Sequence, residues 1–117
     1  MSDSAGGEQR RAYFRLPYPS NERPVLHCGG SQHEVVEIAE GGIRLILEPG
    51  IPLTLNESVA GEIAFHDEQR EAVIGKVLRL EGKNVVVQLV SGLTQHRVMA
   101  EQSYLHQKYP DFLRRNR

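Results

Sequence analysis

A small six-stranded antiparallel β-barrel carrying a C-terminal α-helix is the fold this sequence predicts, and three observations predict it. From Val25 to Val90 the apolar residues recur with a period near two, the mark of strands with one face buried. Turn-forming residues interrupt the pattern about every eight to twelve positions, so the strands are joined by short connections. After Ser91 the composition shifts to helix formers with helical spacing of the apolar residues. A sheet of this size with short connections removes its own edges by closing.

Taken in order, residues 1–9 ("MSDSAGGEQ") are small and polar and read as a disordered lead. The domain proper then spans 10–117, with an arginine-rich segment at 10–16, a barrel at about 24–90 and a helix at about 93–109. Strands are expected at 24–28, 33–38, 42–47, 59–65, 70–81 and 83–90. "CGGSQ" and "EGK" are tight turns, with glycine where a positive φ costs little. "EPGIPLTLNES" is a longer loop whose two prolines exclude a central strand. In "HEVVEI" the adjacent Val35 and Val36 break the alternation and point to a bulge or twist. Beyond Ser91, a candidate N-cap, Val98, Leu105, Tyr109 and Phe112 recur at steps of seven, four and three. Pro110 ends or kinks the helix near Tyr109, and "DFLRR" adds a turn. Lys108, Arg114 and Arg115 suit the negative end of the helix dipole. Tyr104, Leu105 and Tyr109 either plug the barrel or form an interface.

Composition excludes several classes of function. A chain of 117 residues makes one domain, and a net charge of -1 lacks the excess of Lys and Arg that wrapping duplex DNA demands. A lone cysteine, Cys28, forbids an internal disulfide and fits a reducing cytoplasm. No apolar run approaches the roughly 20 residues of a membrane span, and the start is not a signal peptide, so a cytoplasmic protein without membrane insertion is expected. The five histidines (His27, His33, His66, His96, His106) are scattered. A zinc set of His27 or Cys28 with His33 is conceivable, but packing explains these residues more simply. Glu37 and Glu40 have no accompanying nucleophile, and Gly41 and Gly42 form no phosphate-binding loop. Neither catalysis nor a metal or cofactor is expected.

The arginines carry the chemistry. "RRAYFRLPYPS" puts Arg10, Arg11 and Arg15 beside Tyr13, Phe14 and Tyr18 at the edge of the folded part. A guanidinium is planar and always charged; it forks onto phosphate oxygens or the O6/N7 edge of guanine and stacks on a base. On spacing alone the alternative is a solvated basic stretch that Tyr13 and Phe14 anchor to the barrel.

"RAYFR", followed some twenty residues later by "VVEIAEGGIRL", resembles the PilZ family, the bacterial receptors for cyclic di-GMP. That family pairs an Arg-x-x-x-Arg stretch with an (Asp/Asn)-x-Ser-x-x-Gly element on a small six-stranded barrel. Arg11 and Arg15 match the first part, with Arg10 as an extra arginine in front. Glu37, Ala39 and Gly42 take the Asp/Asn, Ser and Gly positions. The resemblance implies a non-enzymatic receptor and adaptor that binds cyclic di-GMP, commonly as a stacked dimer, and signals to an effector protein of unknown identity. It further implies that Arg11 and Arg15 contact guanine and phosphate and that Arg10 adds a clamp. Glu37 and Ala39 then face a guanine edge and a phosphate, and Gly42 allows close approach of the backbone. Binding is expected to order the segment from Glu8 to Leu16. Arg79, late in the fifth strand, either faces solvent or lies near the ligand. Glu37 is one methylene longer than aspartate and Ala39 lacks a hydroxyl. These departures leave open a second reading, a PilZ-like interaction module that no longer binds nucleotide. Single-stranded RNA is a poor third candidate, because the strands contain Phe65 as their only aromatic. Nucleic acid is therefore not an expected partner.

Overall fold

The computed structural model describes residues 15–48 and 52–115. Seven strands run as β1 (Leu16–Pro17), β2 (Val25–Cys28), β3 (Ser31–Ala39), β4 (Gly42–Ile46), β5 (Ser58–Ala64), β6 (Arg70–Glu81) and β7 (Asn84–Ser91). Two helices follow, α1 (Gln95–Lys108) and α2 (Pro110–Arg115). Strands β3-β2-β5-β6-β7-β4 form an antiparallel ladder, and the pairing of β4 back onto β3 closes it into a six-stranded barrel. The six expected strands are these six, each with ends shifted by no more than two residues.

The seventh strand was not anticipated. Leu16 and Pro17 lie antiparallel on Ile38 and Glu37. Pro17 donates nothing to a ladder, which confines this strand to two residues at an edge. The arginines Arg10 and Arg11, the aromatics Tyr13 and Phe14, and the lead 1–9 lie outside the described residues.

Inward-facing side chains follow the pleat. Leu26, Val35, Leu45, Ile63, Val77, Val85 and Val87 are fully buried, while their neighbours in sequence face outward. Two bulges change that phase at places that matter below. In β3, Val35 pairs with Leu45 but Glu37 pairs with Arg44, so Val36 is the extra residue foreshadowed by the valine doublet. Strict alternation from Val35 would aim Glu37 into the core; the bulge returns it to the outer wall and turns Ile38 inward. In β6, Val77 pairs with Val87 and Arg79 with Val86, which makes Leu78 the extra residue and puts Arg79 outside. The adjacent Val77 and Leu78 carry the same mark as Val35 and Val36, but no bulge was expected there.

Both tight turns form as expected: Gly29 and Gly82 sit at φ 61° and 63°, where a side chain would strain the backbone. The N-cap of α1 is Thr94 rather than Ser91. The Thr94 hydroxyl accepts from the Arg97 N–H at 3.1 Å, whereas Ser91 is the last residue of β7. The helix therefore begins two residues later than expected and stops before Pro110, which opens α2. Val98, Leu105 and Leu113 join the barrel core, with Tyr104, Tyr109 and Phe112 packed against it.

Candidate functional site

Outward side chains of β3, β4, β7 and β6 form two rows across the barrel wall. The first row is Glu37, Arg44, Val86 and Arg79, neighbours in register from strand to strand. The second is Ala39, Gly42, Gln88 and Lys76. Small residues in the second row hollow out the surface. A groove of about 200 Å³ results, lined by Ala39, Gly41 and Gly42 on its floor and by Arg15, Glu37, Arg44, Leu78, Arg79 and Gln88 around it. Arg15 arrives from β1: Leu16 pairs with Ile38, so one step further along that register brings Arg15 beside Ala39.

Five residues singled out in the sequence (Arg15, Glu37, Ala39, Gly42 and Arg79) thus meet in one groove. Arg10 and Arg11 lie outside the described residues. Arg79 is half-exposed and forms part of the groove wall. Glu37 and Glu40 are not a pair: Glu40 is exposed in the β3–β4 turn, while Glu37 is held by Arg44 at 3.4 Å. Gly42 has a reason to be glycine within the barrel itself, since a Cβ there would meet the Val87 carbonyl oxygen at 3.0 Å.

Three guanidinium groups line this groove, and of the two carboxylates paired with them Glu37 lines it while Glu81 lies outside. Arg44 Nε donates to Glu37 Oε1 at 3.4 Å and Arg44 Nη1 to Glu81 Oε1 at 2.5 Å. The second oxygen of Glu81 accepts from Arg79 Nε at 2.8 Å. Among the described residues the Arg15 side chain has no ion pair, unlike Arg44 and Arg79. The hydrogen bond to Glu81 holds the Arg44 guanidinium above its ordinary value despite partial burial. Arg44 and then Arg79 hold the Glu81 carboxyl below its own. Sequence reasoning missed Arg44, Glu81 and Gln88. The first two belong to strands whose surface charges look like ordinary solvated ones, and only the cross-strand register joins them.

A second polar cluster, also unforeseen, ties the helix to the segment that carries Arg15. Glu101 of α1 is fully buried. Its carboxylate accepts from the Tyr18 hydroxyl at 2.6 Å and from Arg97 Nη1 at 3.3 Å, and lies 2.9 Å from His66 Nε2. Burial, and then the charge of Glu101, push the Tyr18 phenol far above its usual value. Arg97 also reaches Asp67 at 3.1 Å and covers the Phe65 ring, while His66 stacks on Tyr104 at 3.6 Å. Burial disfavours the Arg97 charge, but Asp67, Glu101 and Glu71 outweigh it and raise the guanidinium above its ordinary value. Glu22 makes a further anchor, accepting from Tyr104 at 3.0 Å and from Lys108 and Tyr109 at 2.8 Å each. Elsewhere, buried His33 has Ser31 Oγ 3.3 Å from its Nε2. No group of three metal-ligating side chains occurs among the described residues.

The fold and groove are those of a small closed barrel with a basic hollow on its outer wall and Arg15 at its side. A family model for the PilZ domain matches residues 9–106. The chain belongs to the PilZ domain family, whose members are in general cyclic di-GMP-binding adaptors. No curated protein matches it. No helix among the described residues is long and apolar enough to cross a membrane.

Proposed function

We propose that this protein is a non-enzymatic receptor for cyclic di-GMP that passes the binding event to an effector protein through its arginine segment. The observation that carries the reading is the gathering of Arg15, Glu37, Ala39, Gly42 and Arg79 around one groove in a PilZ domain. In this reading Arg15, with Arg11 and Arg10 ahead of it, takes guanine edges and a phosphodiester by forked hydrogen bonds. Glu37 accepts from the N1–H and N2–H of a guanine. Ala39 and Gly42 let the ligand come close to the backbone, and Arg79 closes the far wall.

Isothermal titration with cyclic di-GMP near physiological salt tests this. The expected result is micromolar or tighter binding that Arg15→Ala weakens at least tenfold, as loss of a charge-assisted pair implies. The expected link to an effector is slower amide exchange in residues 8–16 on saturation. No heat at high protein concentration would sink the receptor reading.

One observation favours a second reading, an interaction module without a nucleotide. Glu37 is already engaged by Arg44, and Ala39 offers no hydroxyl to a ligand. Glu37→Asp combined with Ala39→Ser separates the two. Binding strengthens if the site is only weakened, and stays absent if the site is lost.

A further inference from the structure

Arg44 and Glu81 stand outside the residues that pointed to a ligand, yet together they control the charge of the groove. One Glu81 carboxylate bridges two guanidinium groups, Arg44 at 2.5 Å and Arg79 at 2.8 Å, one oxygen to each. Both arginines line the groove, whereas Glu81 is not among the lining residues and is 41% exposed. Two oxygens sharing one negative charge, each taking an N–H from a different guanidinium, also describe a phosphodiester between two arginines. Glu81 thus occupies an anion seat with a group of the same charge and a similar spread of acceptors.

We infer that Arg44 is a further phosphate-binding residue of the groove and that Glu81 is its resident competitor, which a ligand phosphodiester must displace. The inference rests on the nucleotide reading of the groove given above.

Three features make the exchange feasible. Glu81 is tethered only at the rim, two residues beyond Arg79 and next to the Gly82 turn. Exposed ion pairs are weak and screened by salt, so releasing one costs little. The sum of charge also favours it. Arg15, Arg44 and Arg79 against Glu37 and Glu81 leave the groove at +1, and moving Glu81 away leaves it at +2. A cyclic dinucleotide carries two phosphodiester charges, and the second state attracts them more strongly than the first. Near neutrality Glu81 and a phosphodiester are both singly charged, so the exchange is of like for like.

Titration calorimetry on the wild type, Glu81→Gln, Arg44→Gln and the double variant tests the idea. Each is titrated with cyclic di-GMP and, separately, with inorganic pyrophosphate, while ¹⁵N spectra follow the arginine Nε signals. Glu81→Gln is expected to bind the nucleotide about three- to tenfold tighter than wild type, the scale of releasing exposed ion pairs. Arg44→Gln is expected to bind more weakly, and the double variant to lose the gain. Glu81→Gln no tighter than wild type, or Arg44→Gln as tight, overturns the inference. Suppose neither wild type nor Glu81→Gln binds nucleotide. Pyrophosphate taken by Glu81→Gln, with Arg44 and Arg79 Nε shifts absent from wild type, then upholds the competitor while the nucleotide reading falls. A Glu81→Gln protein with a normal thermal transition that takes neither ligand overturns both.

Discussion

Tyr18 places its hydroxyl 2.6 Å from a carboxylate that has no contact with solvent, 83 residues away in sequence. A buried charge is tolerated only when its partners are in place, and Glu101 divides its two oxygens among Tyr18, Arg97 and His66. Tyr18→Phe keeps the ring and removes one donor. It is expected to cost about 1–3 kcal/mol in urea unfolding, the range for a hydrogen bond to a charged group. A loss below a few tenths would mean that the other two partners suffice. None of this was legible in the sequence. The apolar spacing marked Tyr104 and Leu105 but gave Glu101 no role, and Glu101 is a buried acid whose partners include Arg97 and Tyr18. By contrast, Arg15 and Gly42 were legible because their spacing matches a family motif.

The strands were legible from period-two patterning, and the bulge in β3 from Val35 and Val36. The bulge in β6 was overlooked, although the adjacent Val77 and Leu78 break the alternation in the same way. Yet the two bulges work as a pair, each turning one polar groove residue, Glu37 or Arg79, onto the outer wall. The short β1 escaped notice because a two-residue strand has no period to detect. Packing between strands is equally strict where backbones come close. A Cβ on Gly61 would collide with the His27 carbonyl oxygen of β2. Gly61→Ala is therefore expected to destabilise the barrel by about 1–3 kcal/mol, as overpacking does. A denaturation midpoint equal to that of wild type would show that β2 and β5 can part without cost.

Across the whole molecule, the chain near Arg15 and the C-terminal helices hold one another by two polar anchors, Tyr18 on Glu101 and Glu22 on Lys108, Tyr104 and Tyr109. The Lys108 hydrogen bond leads the effects that hold Glu22 below the ordinary carboxylate value of 4.5. A carboxylate with a lowered folded value stabilises fully above its unfolded value and loses that contribution as pH falls through the folded one. The thermal advantage of wild type over Glu22→Gln is therefore expected to be full at pH 7 and to shrink on acidification below 4.5. An advantage independent of pH would assign Glu22 a packing role instead. The helix itself was legible from its apolar spacing, but its attachment was not, since both anchors join residues more than 80 positions apart.

That separation bears on how the protein is made. Each of the strands β3 to β7 finds a partner already synthesised as it emerges from the ribosome: β3 on β2, β4 on β3, β5 back on β2, β6 on β5 and β7 on β6. Tyr18 emerges before all of them, and its acceptor at Glu101 only after all of them. Until that residue is synthesised, Tyr18 must leave its hydroxyl in water, and the core still lacks Leu105. Tyr18 is thus among the last residues to be secured, and arrest of translation before Glu101 leaves it without its acceptor on the helix.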